Sequence, residues 1–118
     1  MPRLLDPVGI PVPGKKLIGE HVGRVATDTA EVSVAVMAAP PGWDEPHQTP
    51  QFDEITVVLK GEVHLEHDGQ HLVAQAGQSL LALAGERVRY SVGPDGAEYV
   101  AVCLPAFTPE AAHREDAE

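Results

Sequence analysis

No segment of this chain holds a 3.6-residue apolar period long enough for a core helix. What recurs is a short alternating run closed by glycine or proline, and this limits the fold more than any other feature. In "EVSVAVMAA" (31–39), Val32, Val34 and Val36 alternate with Glu31, Ser33 and Ala35, the period of a half-buried strand. Pro40, Pro41 and Gly42 end it. "EITVVLK" (54–60) is rich in β-branched residues, Gly61 breaks it, and "EVHLEH" (62–67) resumes. Asp68–Gly69 is a hairpin signal, with "QHLVAQA" (70–76) as the returning strand. "SLLALA" (79–84), "ERVRYSV" (86–92) and "EYVAVCLPAF" (98–107) follow, separated by Gly85 and the turn "GPDG" (93–96). With a short edge strand in 19–27, seven or eight strands are expected. This spacing predicts an all-β sandwich or barrel.

The first 18 residues form a separate class of segment. Pro2, Pro7, Pro11 and Pro13 exclude a helix interior, so 1–18 reads as an extended arm, 19–107 as the barrel domain and 108–118 as an acidic polar tail. The 118 residues suit one core. Hydrophobic residues make up 43% but aromatics only 4%, so Val, Leu, Ile and Ala must build it. A formal net charge of -10 argues against nucleic-acid phosphates and anionic membranes as partners. Cys103 is the single cysteine and has no intrachain disulfide partner. The start carries Asp6 and no long apolar run, unlike a signal peptide, and no stretch is long and apolar enough to span a membrane. A cytoplasmic protein is expected.

Alternation puts Glu54, Thr56 and Val58 on one strand face and Ile55, Val57 and Leu59 on the other. If the first set faces the interior, Glu54 is a carboxylate that needs a metal, a cation or hydrogen bonds; otherwise it is a rim residue. His47 offers an imidazole, and Gln48 and Gln51 offer neutral oxygens. His47, Gln51 and Glu54 converging across a bend would make a three-donor metal site with an open position; the alternative is a polar loop. Trp43 either roofs a pocket or anchors that loop. No phosphate loop, dinucleotide fingerprint, zincin motif, nucleophile elbow or CxxC pair occurs.

Residues 42–63 and 77–92 resemble the two sequence motifs of the cupin superfamily. Gly42, Glu54 and Gly61 occupy the fixed points of the first motif, and Gly77 and Gly85 those of the second. The resemblance covers roughly 30–107 and implies a cupin-type double-stranded β-helix (jelly-roll) barrel. The usual His-x-His pair falls on His47 and Thr49 in one register and on Gln48 and Pro50 in the other; the second-motif histidine falls at Val88. The resemblance implies that Glu54 is a ligand or acid/base at the cavity, and that Tyr90, on the parity of Val88, orients a ligand there or packs in the wall. Similar cupins include isomerases, lyases and dioxygenases. The expected function is therefore binding of a small polar metabolite, as a metal-assisted enzyme holding Zn, Ni, Fe or Mn through His47, Gln51 and Glu54. The alternative is a metal-free, non-catalytic binding or sensing module. A homodimer with the arm crossing to the partner is also expected.

Overall fold

The computed structural model describes residues 1–115; the last residues of the expected acidic tail lie outside the described residues. Seven strands are present: β1 (Val8–Gly9), β2 (Leu17–Val22), β3 (Ser33–Ala39), β4 (Asp53–His67), β5 (Gln70–Gln75), β6 (Ser79–Ala82) and β7 (Arg89–Leu104). One short helix follows, α1 (Pro109–Ala112). Its first turn is closed by the Thr108 hydroxyl, which accepts from the Ala111 amide at 3.0 Å.

The strands form one all-antiparallel sheet in the order β1-β2-β3-β7-β4-β5, with β6 also paired to β4. The expected closed double-stranded β-helix barrel is corrected here. β1 and β5 lie at opposite ends of the pairing order, and no ladder joins them. The arm cannot extend the sheet toward closure. β1 is two residues long, and Pro7, Pro11 and Pro13 beside it lack the N–H a ladder needs. Val8–Gly9 pairs with β2 of the same chain, and Ile10 donates its amide to the Ile18 carbonyl at 3.0 Å.

Two expected breaks turn out to be bends inside long strands. β4 runs through Gly61 and β7 runs through 93–96. β4 pairs with β7 on one side along most of its length; on the other it pairs first with β6, through 54–57, and then with β5, through 62–67. Gly61 has φ 74° and opposes Ala97 beside a register shift; a Cβ there would collide with the Gly96 carbonyl. The Asp68–Gly69 hairpin forms as expected, both residues having positive φ (49° and 78°) and His67 facing Gln70.

Strand parity decides what is inside. On β4, Thr56 is 0% exposed and Val58 1%, whereas Leu59, at the register shift between Val58 and Lys60, is 50% exposed. The main core joins Val58, Val63, Leu65, Leu80, Tyr90 and Tyr99 with smaller neighbours. A second cluster sets Phe52 against Cys103 and Ala112 and so fastens α1 to the sheet. Phe52 also packs on Phe107 at 5.7 Å between ring centroids.

The glycines give a direct check of the bend. Gly77 has φ 88° but open space around an added Cβ, so Gly77→Ala is expected to cost about 1 kcal/mol through backbone strain alone. Gly61→Ala adds the collision and is expected to cost about 3 kcal/mol. Urea unfolding of the two variants measures the difference; equal losses would mean that the β4 bend is not sterically locked.

Candidate functional site

A cavity of about 330 Å³ opens on the inner face of the sheet. Its apolar wall comes from the arm and β2 (Ile10, Val12, Ile18) and from β3 (Ala35, Met37). Polar side chains reach it from five separate parts of the chain: Lys16 from the arm, Ser33 from β3, Glu45 and Gln48 from the loop before β4, Glu54 from β4, and Arg114 after α1. Tyr90, Tyr99 and Cys103 of β7 complete the lining.

The pairing registers explain these positions. Glu54 lies opposite Cys103 on β7 and Ala82 on β6, and Val58 lies opposite Tyr99. Glu54 therefore occupies the middle of the sheet, inward with Thr56 and Val58 as its parity requires. Gln48 is held by a reciprocal backbone pair with Val88: its amide donates to the Val88 carbonyl at 2.9 Å, and the Val88 amide donates back at 2.8 Å. Glu45 donates its amide to the Tyr90 carbonyl at 3.3 Å. Its side chain accepts a hydrogen bond from Arg114 Nη2 at 3.0 Å. Lys16 Nζ lies 3.9 Å from the Trp43 ring centroid and 5.5 Å from that of Tyr99, a cation–π arrangement. Trp43 itself packs against the core.

Burial dominates the electrostatics. It pushes the Glu54 carboxyl up from 4.5 to about 7; Glu45 adds to the rise, while Lys16 and Arg114 oppose it. Burial also raises Glu45, against the pull of Lys16 and Arg114, and lowers Lys16, against the pull of Glu45 and Glu54. Burial, with Glu54 and Glu45 behind it, keeps the Tyr90 and Tyr99 phenols protonated. Burial and then Glu54 hold Cys103 as the thiol. The cavity thus presents phenol donors, an ammonium and a carboxyl able to exchange a proton near neutrality.

The sequence-predicted residues separate. Glu54 and Tyr90 meet at this cavity. His47 lines a different, outer depression with His67, His71 and Arg87. Gln51 is exposed and lines a third, with Thr49 and His113. The cupin resemblance implies a metal, and this donor set does not fit one. Val88, at the second-motif histidine position, is 2% exposed and apolar. Two cationic side chains accompany the two cavity carboxylates. Among the described residues no group of three or more His, Cys, Asp or Glu side chains is placed to hold an ion. Glu45, Lys16 and Arg114 escaped sequence reasoning. They lie in a loop, an arm and a tail, where no periodicity marks an inward side chain. Arg89 pairs with Asp44 at 2.6 Å at the edge of this loop.

The sheet has the fold of cupin proteins: an RmlC-like cupin from Shewanella frigidimarina superposes with a TM-score of 0.69 at 18% identity, over 85% of each chain. The model of the family "Ethanolamine utilisation protein EutQ" matches residues 42–108, more than half of the sequence, and the chain belongs to that family. Two curated relatives are longer proteins. The endoribonuclease YbeY of Myxococcus xanthus is 47% identical over 107 residues, which is 90% of this chain and 36% of that protein. The acetate kinase EutQ of Salmonella typhimurium is 33% identical over 58 residues, 49% of this chain and 25% of that protein. The chain spans about a third or less of the length of these relatives.

The raised Glu54 carboxyl has a stability consequence. Between 4.5 and about 7 the folded chain keeps a proton that the unfolded chain releases. Stability from this group is therefore present at low pH and is lost as pH rises through that window, by up to about 3 kcal/mol. Glu54→Gln removes this loss. The variant is expected to melt above wild type at pH 8 and alongside it near pH 4.5. Parallel melting curves across this range would mean that Glu54 is solvated.

Proposed function

We propose that this domain is a metal-free module that binds a small polar metabolite in its cavity without turning it over. The carrying observation is the set Glu54, Glu45, Lys16 and Gln48 gathered in an otherwise apolar cavity of about 330 Å³, a size and composition suited to a small ligand. Apolar walls supply area, and the few polar groups set orientation. The activities that name the curated relatives belong to longer proteins, of which this chain spans 36% and 25%. Acetate is nevertheless a reasonable first probe, given the kinase name of the Salmonella relative. A nucleic-acid role is not proposed, because a net charge of -10 opposes phosphate binding.

One observation favours a second reading, acid–base catalysis without metal. A carboxyl held at about 7 takes and returns a proton near neutral pH, as a general acid or base requires. Tyr90, protonated and on the same cavity, would then orient the substrate as a donor. Native mass spectrometry and elemental analysis of chain purified without chelator test these readings. The binding module is expected to carry a small-molecule adduct that Glu54→Gln loses, with no stoichiometric metal. A stoichiometric transition metal that is lost in Glu54→Ala would overturn the metal-free reading.

A homodimer also forms part of this proposal. Val57, Leu59 and Leu81 are 37%, 50% and 63% exposed on the outer face of β4 and β6, and a second copy would cover them. Light scattering is expected to give twice the 12.5 kDa chain mass at micromolar concentration. A Leu59→Lys and Leu81→Lys double variant is expected to run as a monomer.

A further inference from the structure

We infer that the cavity ligand is a small hydroxy acid, its carboxylate received by Lys16 and its hydroxyl donated to Gln48. This deepens the binding role proposed above and rests on it. Two polar groups of the cavity are left without a matching partner. Gln48 is 3% exposed, and its Oε1 is buried with no hydrogen-bond donor among the described residues. The reciprocal backbone pair with Val88 anchors the main chain there, and the 3% exposure keeps the side-chain amide from bulk water. A buried acceptor left in this way is destabilising unless something donates to it.

Lys16 has the complementary deficit. Its ammonium has the Trp43 and Tyr99 rings as close neighbours but makes no ion pair or hydrogen bond among the described residues. Arg114 is spent on Glu45, at 3.0 Å. Lys16 and Glu54 remain. Glu45 and Glu54 act on Lys16 without an ion pair, and burial favours the neutral forms of both Glu54 and Lys16, so a ligand carboxylate beside the amine would hold it as the ammonium. The site therefore lacks one anionic acceptor and one donor. A hydroxy acid supplies both, and Ile10, Val12 and Ile18 offer a surface for a short alkyl chain. An amine would meet Lys16 and Arg114 with like charge. A neutral diol would satisfy Gln48 and leave Lys16 uncompensated.

Calorimetric titration of the full chain at pH 6.5 with 2-hydroxybutyrate, butyrate, 1,2-butanediol and 2-amino-1-butanol separates these classes. The hydroxy acid is expected to bind about tenfold more tightly than butyrate, the worth of one added hydrogen bond, and more tightly than the other two. Gln48→Leu is expected to bring the hydroxy-acid and butyrate affinities together. Lys16→Met is expected to remove acid binding. The melting temperature of each variant without ligand checks that it folds. Equal affinity for butyrate and 2-hydroxybutyrate, or tightest binding of the diol or the amine, would overturn the ligand class. So would silence from all four probes. The ligand-induced rise in melting temperature separates the two levels of failure, because any occupant of the cavity stabilises the folded chain. A diol or amine that raises it leaves the cavity reading standing and discards the hydroxy acid. A chain that carries no native adduct and whose melting temperature no probe raises loses both.

Discussion

The pairing of β4 with β7 is the interaction on which the rest of this structure depends. It runs from Asp53 opposite Leu104 to Glu66 opposite Arg89. It sets Glu54 against Cys103, Thr56 against Ala101, Val58 against Tyr99 and Leu65 against Tyr90. Because side chains alternate, one register puts Glu54, Thr56, Val58 and their β7 partners on the same face, and the register shifts between Val58 and Lys60 and between Gly61 and Val63 return Leu65 and Tyr90 to the core. A slip of one residue would move Glu54 to the outer face and bring Ile55 and Val57 into the core. The hydrophobic pattern opposes that slip on both strands at once. The cavity therefore follows from the register. The bend at Gly61 lets a single long strand serve both the β6 and the β5 sides.

The electrostatics of the cavity assemble on this frame from distant parts of the chain. Lys16 and Arg114 are close to opposite ends of the sequence, yet both act on Glu45 and Glu54. Burial is the largest influence on all three of Glu45, Glu54 and Lys16. It pushes each toward its neutral form, while the opposite charges resist. Here organic cations accompany the carboxylates, and a proton on Glu54 is the adjustable charge.

Much of this was legible in the residues. The inward parity of Glu54, Thr56 and Val58, the Asp68–Gly69 hairpin and the strand runs were all readable, because each depends on neighbours in sequence. The cupin resemblance rested on Gly42, Glu54, Gly61, Gly77 and Gly85, and the family match over residues 42–108 agrees with it. The expected ligand trio did not assemble. His47 and Gln51 come from a loop whose path is set by long-range bonds, such as Gln51 donating its amide to Ala111 at 2.8 Å. Gln48, two residues short of Pro50, turns inward from that loop, as does Glu45. Nothing local distinguishes it from Gln51.

By itself the sequence determined where most of the strands run and that Glu54, Thr56 and Val58 share the inner face of β4. These follow from a period of two and from glycine and proline punctuation, which act over a few residues. Only the tertiary structure decided that the sheet stays open between β1 and β5, and that an arm lysine and a post-helical arginine join the cavity. It also decided which loop side chain is left with an unmet acceptor. Those outcomes depend on segments that meet through long-range packing, and no local pattern encodes where such a segment comes to rest.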